Sequence, residues 1–136
     1  KNDKVVFLSD YAHHPEEIKQ SILSMRALYN DKKLTAVFQP HLYTRTRDFY
    51  QEFADSLSLL DEVILTEIYP ARELPIEGVS SQLIYDHLRP GIEKCICRKE
   101  DIIQVLKEKK IEVLITLGAG DIDNYVPQIC DLLNKE

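Results

Sequence analysis

The segment KVVFLSDYAHHPEE (residues 4–17) combines an apolar run, a polar turn and the beginning of a helix. The run around Val6 and Phe7 is continuous and does not alternate, which is typical of a strand covered on both faces of its sheet. Pro15 suits the first turn of a helix, and the two acids that follow it are favourable beside the positive end of the helix dipole. The segment therefore predicts a buried strand that leads directly into a helix.

The same unit recurs along the whole chain. Short apolar runs rich in β-branched residues predict strands at 4–9, 34–39, 62–68, 94–98 and 112–117, and helical patterns begin near Pro15, Asp48, Ser81, Asp101 and Asn124. Alternation of strand and helix at this spacing favours right-handed crossovers in an open sheet with helices on both faces. We therefore predict one α/β domain over residues 1–136, a three-layer, Rossmann-like fold with a mostly parallel sheet.

The composition is that of a globular protein and excludes some classes of partner. The 136 residues carry 17 basic and 23 acidic side chains, and the basic ones are dispersed, which argues against nucleic-acid binding. No apolar run approaches the roughly 18 residues of a membrane span, so no membrane partner is predicted. Cys95, Cys97 and Cys130 lie in apolar segments and indicate core thiols in a reducing compartment, so we expect a cytoplasmic location.

One edge of the predicted sheet collects the unusual residues. Ligands of open α/β sheets bind outside the carboxyl ends of the strands. The loops expected there, 10–15, 39–48, 67–75 and 118–121, hold three of the four histidines together with arginines, tyrosines and acids. The loops expected at the opposite edge are plain turns. This asymmetry predicts a binding site at the carboxyl edge.

The first of these loops places His13 and His14 at a helix N-terminus. The helix dipole disfavours imidazolium there, so a neutral ring could accept a proton or a hydrogen bond from an amine. Equally, one of the two rings could simply pack or cap the helix. His41 of the next loop could join them around a metal, but no cysteine lies nearby and the spacing fits no structural zinc pattern. We predict no metal site.

The second loop, QPHLYTRTRD (39–48), favours binding of an anion. Arg45 and Arg47 lie with two threonines at a strand-to-helix turn, where backbone N–H groups and the helix dipole attract negative charge. The planar guanidinium suits a carboxylate or a phosphate. The alternative is a surface ion pair with Asp48 or Glu52, which fits Arg47 better than Arg45.

The other two loops are less specific. Residues 67–75 could steer a polar ligand or could form a solvated loop bounded by prolines. The GAGD turn (118–121) allows close approach of a ligand to the backbone, but it is not a dinucleotide fingerprint. The chain also lacks a GxxxxGK[ST] loop for a triphosphate.

Four motifs together carry a resemblance to a known family: DYAHHPEE (10–17), FQPHLYTRTRDF (38–49), YPARELPIEGVSS (69–81) and GAGDI (118–122). In this order they closely resemble the C-terminal domain of the Mur ligases of bacterial cell-wall synthesis. The second motif favours the alanine-adding members over the related murein tripeptide ligases. The resemblance covers essentially the whole chain and implies a three-domain parent. The absent Walker loop and initiator methionine then lead us to expect the third domain alone.

The resemblance also implies a reaction. In this family ATP phosphorylates the lactyl carboxylate of UDP-N-acetylmuramate, and the amine of L-alanine attacks the acyl phosphate. The implied partners of the full enzyme are therefore ATP, L-alanine and UDP-N-acetylmuramate, with Mg²⁺ held mainly by the central domain. The isolated domain is expected to be inactive. A murein tripeptide ligase domain and a free-standing module that binds an anion or a nucleotide stay open as alternatives.

Roles for single residues follow from the resemblance in the same way. Asp10 would contact the ribose region of ATP. Tyr11 and His13 would border L-alanine, and His13 could also act on its amine as the catalytic base. His41 and Arg45 would hold its carboxylate.

Departures from the family pattern qualify these roles. Many relatives carry arginine where this chain has Leu42, so one contact to the carboxylate would have to come from Arg45 alone or from Arg47. Ser9 replaces a frequent second acid, and Arg72 replaces a frequent glycine. His14 is expected to be structural.

Overall fold

The computed structural model describes residues 6–10, 12–70, 72–118 and 121–134, and within these ranges it contains one sheet of five parallel strands. The strands are β1 (Val6–Asp10), β2 (Leu34–Phe38), β3 (Glu62–Leu65), β4 (Glu93–Ile96) and β5 (Val113–Leu117). Their order across the sheet is β1-β5-β2-β3-β4, so the last strand of the chain lies between the first two. The prediction of an open, parallel α/β sheet is confirmed.

Helices cover both faces of this sheet. They are α1 (Pro15–Leu28), α2 (Tyr43–Leu57), α3 (Ser81–His87), α4 (Ile102–Lys107) and α5 (Val126–Asn134), with short 3-10 turns at Lys99–Asp101 and Asp121–Tyr125. The first three share one apolar core with the sheet, where the rings of Phe38 and Phe53 lie 5.3 Å apart. Helices α4 and α5 pack over the other face through Ile102 and Ile129. Full burial of such a side chain contributes about 1.5–3 kcal/mol, so both faces stabilise the sheet.

Within the described part of the chain, none of the helices combines the length and the apolar character that a membrane crossing requires.

Helix α2 begins at Tyr43, ahead of the predicted start near Asp48. Phe49 has non-helical dihedral angles (φ −128°, ψ 16°), so the helix is kinked in its middle. The apolar stripe that indicated the helix begins at Phe49 itself and continues beyond the kink, where Phe53 is fully buried. The turn before the kink is polar and has no apolar stripe that would predict a helix, although its Thr46 is buried. The helical pattern therefore predicted only the part of α2 that packs on the core.

The amino edge of the sheet, expected to consist of plain turns, holds a buried carboxylate. The side chain of Glu62 is 1% exposed, and Lys109 Nζ and Lys33 Nζ lie 2.6 and 3.2 Å from its two oxygens. The Thr35 hydroxyl donates a third contact at 3.3 Å. Burial raises the pKa of Glu62, but the two lysines outweigh burial and hold the pKa below its usual value. Glu62 therefore joins β2, β3 and the segment after α4 as an ionised residue.

The thiols of Cys95 and Cys97 are partly buried against the core formed with α4 and α5. Burial raises the pKa of Cys97 to about 12, with a further contribution from Cys95. Both groups therefore stay protonated at neutral pH, as expected for core thiols.

The strand register brings the carboxyl ends of four strands to one level. Asp10 of β1 pairs with Leu117 of β5, Leu117 pairs with Phe38 of β2, and Phe38 pairs with Leu65 of β3. The loops that follow these residues therefore start side by side, and they carry the predicted site.

Candidate functional site

Asp10 ends β1 and fixes the loop that follows it. Its Oδ1 accepts a hydrogen bond from the Ala12 N–H at 2.9 Å, and its Oδ2 accepts one from the Ser21 hydroxyl of α1 at 2.6 Å. The carboxylate thereby ties the end of the strand to the following helix. A contact with a nucleotide stays a prediction. Tyr11, predicted to border the amino acid, lies outside the described residues.

His14 is the N-cap residue of α1, which agrees with the structural role expected for it. Glu17 Oε1 accepts hydrogen bonds from the N–H groups of His13 and His14 at 3.2 and 3.3 Å. The bond from His13 contributes most to lowering the pKa of Glu17. Potential ligand atoms of these three residues lie within 4.8 Å of one another. Because Glu17 caps the helix, the closeness of His13, His14 and Glu17 is explained without an ion. The expectation of no metal site stays a prediction.

His41 is the centre of a cluster at the carboxyl edge. Its ring stacks on Tyr69, with centroids 5.6 Å apart and planes at 12°, and the edge-on ring of His13 lies at 5.8 Å. Arg45 Nη1 lies 3.0 Å from His41 Nδ1. A guanidinium can only donate, so Nδ1 must accept and the proton of a neutral ring is on Nε2. The structure thus brings together three residues predicted for the site, His13, His41 and Arg45.

Burial lowers the pKa of His41, and the charges of Arg45 and His13 lower it further, against an opposing effect of Glu73. The ring is therefore neutral at pH 7 and offers Nε2–H as a donor. Arg45 supplies the permanent positive charge beside it. A neutral donor next to a guanidinium is an arrangement that suits a small carboxylate.

Part of the anion-binding capacity expected of the second loop is used internally. Glu73 Oε1 accepts hydrogen bonds from the N–H groups of Tyr43 and Thr44 at 2.5 and 3.1 Å, and Oε2 accepts one from the Thr44 hydroxyl at 2.5 Å. The Thr44 hydroxyl is the main cause that holds the pKa of Glu73 below its usual value. Glu73 therefore occupies the N-terminus of α2. Arg47 pairs with Asp48 at 2.9 Å on the surface, as the alternative for that arginine predicted.

The loops after β2 and β3 are also paired through their backbones. His41 and Tyr69 form a parallel β-bridge, the Tyr69 N–H donates to the Pro40 carbonyl at 2.8 Å, and the Leu42 N–H donates to the Tyr69 carbonyl at 2.8 Å. Leu42 adopts φ +75°, in the left-handed region that a branched side chain seldom enters. Such strain persists only where surrounding contacts impose it, and here the bridge to Tyr69 does so. Leu42 therefore contributes a backbone turn to the site.

Comparison with known families identifies the family of this chain. The family model for the Mur ligase, glutamate ligase domain, matches residues 1–121. The chain belongs to the Mur ligase family. The resemblance read from the four sequence motifs is thereby confirmed.

Individual Mur ligases contain a segment that is similar to this chain over its whole length. A UDP-N-acetylmuramate–L-alanine ligase of Phocaeicola vulgatus is 85% identical over 136 residues, which are all of this chain and 30% of that protein. A ligase of the same name from Parabacteroides distasonis is 54% identical over all of this chain and 29% of its own length. The chain thus spans about a third of the length of these curated relatives.

Solved Mur ligase structures share the fold. The UDP-N-acetylmuramate-alanine ligase of Thermotoga maritima superposes with a TM-score of 0.75 at 26% identity, over 96% of this chain and 27% of that one. A domain from a putative UDP-N-acetylmuramate:L-alanyl-gamma-D-glutamyl-meso-diaminopimelate ligase of Haemophilus ducreyi superposes with a TM-score of 0.70 at 17% identity. The match covers 95% of this chain and 92% of that one. The second likeness shows the fold alone.

In this Mur ligase domain a second network holds the other half of the carboxyl edge. Gln39 is fully buried, and its amide donates to Asp121 Oδ1 at 2.6 Å while its oxygen accepts from the Ile122 N–H at 2.9 Å. Lys99 Nζ donates to Asp121 Oδ2 at 2.6 Å. Burial raises the pKa of Asp121, but these partners outweigh burial and lower it. Asp121 is therefore held by side chains of two other loops.

Gln39 and Glu73 lie in loops predicted for this edge, but their contacts were not predicted, and Lys99 was not predicted at this edge. Lys99 lies in the loop that follows β4, and this was the one such loop left out of the prediction. Because that loop also leaves the carboxyl end of a strand, its place in the sequence could have indicated Lys99. Glu73 was only one of several polar residues in its loop. Its partners lie about thirty residues away in the chain, and no local pattern indicates them.

Proposed function

We propose that this chain, over residues 1–136, is the C-terminal domain of an ATP-dependent ligase that joins L-alanine to UDP-N-acetylmuramate in peptidoglycan synthesis. The contact of Arg45 with His41 at the carboxyl edge supports this proposal, in a Mur ligase domain 85% identical to part of a ligase of that name. The remaining two thirds of such an enzyme would hold the UDP-sugar and the phosphates of ATP. The isolated domain would therefore not turn over substrate.

Arg45 and His41 would bind the carboxylate of L-alanine. Arg45 keeps donors beyond the one used for His41, and the neutral His41 ring has its Nε2–H left for the substrate. Hydrogen bonds to charged groups contribute about 1.5–3 kcal/mol each. The pair would thus fix one end of the amino acid and leave its amine directed away from the guanidinium.

His13 would act at the amine end of L-alanine, with Tyr11 beside it. An ammonium group has no lone pair, so the amine must lose a proton before it attacks the acyl phosphate. A neutral imidazole near a helix N-terminus can accept that proton. The amine then attacks the acyl carbon to give a tetrahedral intermediate. The C–O bond to phosphate breaks, and the leaving phosphate takes up the second proton of the nitrogen as the amide is released.

Asp10 would contact the ribose of ATP. Each of its oxygens accepts one hydrogen bond, from Ala12 or from Ser21, and each retains a lone pair for a ribose hydroxyl. Mg²⁺ requires carboxylate and water oxygens in octahedral geometry. Among the described acids of this edge, Glu73 and Asp121 are already bonded to donors of this chain, and Asp10 accepts hydrogen bonds from Ala12 and Ser21. We assign that ion mainly to the rest of the enzyme.

The substitution Arg45→Ala in the intact ligase tests the proposal. Loss of one charge-assisted contact should raise the KM for L-alanine about 10- to 150-fold and leave the KM for ATP nearly unchanged. Arg47→Ala is the matched control, because Arg47 lies in the same helix and pairs with Asp48 on the surface. An unchanged KM for L-alanine in Arg45→Ala would contradict the assignment.

A free-standing module that binds anions is the alternative. The gene sequence before Lys1 separates the two: a GxxxxGK[ST] loop one to two domain lengths upstream supports the ligase, and a start codon directly before Lys1 contradicts it. We also propose a cytoplasmic location, since partly buried free thiols such as Cys97 suit a reducing compartment.

A further inference from the structure

We propose that Glu73 is a positioning residue of the amino-acid site, which holds Arg45 against His41 by capping α2 from the loop after β3. The identity of the bound amino acid rests on the function proposed above. The geometric part concerns this chain alone and is tested separately below.

The kink at Phe49 makes the beginning of α2 depend on local contacts. Beyond the kink the helix is anchored in the core through Phe53, whereas Arg45 lies in the polar turn before it. The dihedral angles at Phe49 interrupt the helix, so core packing beyond it does not by itself fix the position of Arg45. Contacts of the turn itself must do so.

Glu73 supplies three of these contacts. The N-cap residue Leu42 makes no side-chain cap bond, so the first N–H groups of α2 need acceptors from elsewhere. The two oxygens of Glu73 provide them, with bonds to the N–H groups of Tyr43 and Thr44 and to the Thr44 hydroxyl. These bonds join the turn that carries Arg45 to the loop that carries Tyr69, on which His41 stacks.

Glu73 could instead compete with the substrate for the positive end of α2. Its charge lies near a site proposed to bind a carboxylate, and its removal would then improve binding. The two roles make opposite predictions for Glu73→Ala. Glu73→Gln separates geometry from charge, because the amide oxygen can accept from the backbone and the amide nitrogen can donate to the Thr44 hydroxyl.

In the intact ligase, Glu73→Ala should raise the KM for L-alanine about tenfold or more with kcat within about threefold, because a misplaced binding group weakens the ground state and the transition state alike. Glu73→Gln should stay within about threefold of the parent in both constants. Glu77→Ala, an exposed acid of the same loop, is the control. A lower KM for L-alanine in Glu73→Ala, or an equal rise in Glu73→Gln, would overturn the positioning role.

The titration of His41 in the 136-residue chain, followed by NMR, gives a readout independent of catalysis. His41 faces Arg45 from α2, His13 from the loop after β1, and Tyr69 and Glu73 from the loop after β3. Glu73→Gln removes only a negative charge, so the pKa of His41 should fall. Glu73→Ala should also release Arg45 from His41. Arg45 lowers the pKa of His41 by more than Glu73 raises it, so the pKa of His41 should rise in this variant.

The two measurements distinguish failure of this proposal from failure of the proposed function. A rise for Glu73→Ala with an unaffected KM supports positioning and contradicts the role of Arg45 in binding L-alanine. A fall in both variants overturns positioning whatever the kinetics show. The same spectra report whether each variant is folded, and Thr44→Val, which removes one of the three donors, should give a smaller change of the same sign as Glu73→Ala.

Discussion

Gly118 follows β5 with φ +140°, and a Cβ atom placed there would lie 2.8 Å from the Gln39 carbonyl oxygen. It would also lie 3.4 Å from the Gln39 Cβ and from Ile122 Cγ2, so Gly118→Ala meets backbone that is itself held in the sheet. The unusual dihedral angle alone costs about 1–3 kcal/mol for a residue with a side chain. With the steric term we expect Gly118→Ala to lower the free energy of unfolding by about 2–4 kcal/mol.

Urea unfolding followed by circular dichroism measures this loss. The matched control is Gly91→Ala, since Gly91 has φ +88° but nothing within 4 Å of its added Cβ. The control should lose only about 1 kcal/mol, the cost of the dihedral angle. The melting temperatures of the two variants should differ by several degrees, because each kcal/mol of lost stability lowers the melting temperature of a domain of this size by roughly 3–5 °C. Equal losses in the two variants would refute the argument that close packing against Gln39 requires glycine at this position.

Two further predictions concern buried titratable groups. Glu62→Gln removes the negative charge that compensates Lys33 and Lys109. We expect it to lower the free energy of unfolding at pH 7 by about 2–4 kcal/mol. This is less than the roughly 3–5 kcal/mol of a fully buried ion pair, because the two lysines are about a quarter exposed. The pKa of Glu62 is lowered in the folded state, so its contribution is present above its ordinary value of 4.5 and is lost as the pH falls through the folded-state pKa. The parent should therefore lose stability between pH 5 and 3 more steeply than the variant in urea unfolding, and parallel curves would contradict this. Cys97, with a pKa of about 12, is thiolate in only about one molecule in ten thousand at pH 8, so iodoacetamide should label it slowly in the folded chain and rapidly in urea, as read by mass spectrometry. Equal labelling rates in the two conditions would contradict the burial argument.

The fold could be predicted from the sequence because its signals are local. Each buried strand is a continuous apolar run, and each helix that packs on the core shows its own stripe, as α1 does with Ile18 and Ile22. The edge that carries the site followed from topology, since all strands run parallel. The place of β5 between β1 and β2 is a pairing of distant segments, and no pattern within a segment specified it.

The internal contacts of the site could not be predicted for the same reason. Glu73 and Thr44 are separated by about thirty residues, and Gln39 and Asp121 by more than eighty. A polar residue in a loop looks the same in the sequence whether it faces solvent or caps a distant helix. Glu62 shows the same limit at the other edge, where a glutamate at the start of a strand is buried only because Lys33 and Lys109 reach it.

The central place of β5 determines when this domain can exist during synthesis. Among the described strands β1 pairs with β5 alone, and β2 meets β1 only through it. A nascent chain that has not yet released Val113–Leu117 from the ribosome therefore lacks the strand that pairs with both β1 and β2. Asp10 ends β1 and His41 follows β2, so strand pairing relates the two residues only after β5 has inserted. The carboxyl edge that carries the site is thus complete only after β5 has been made.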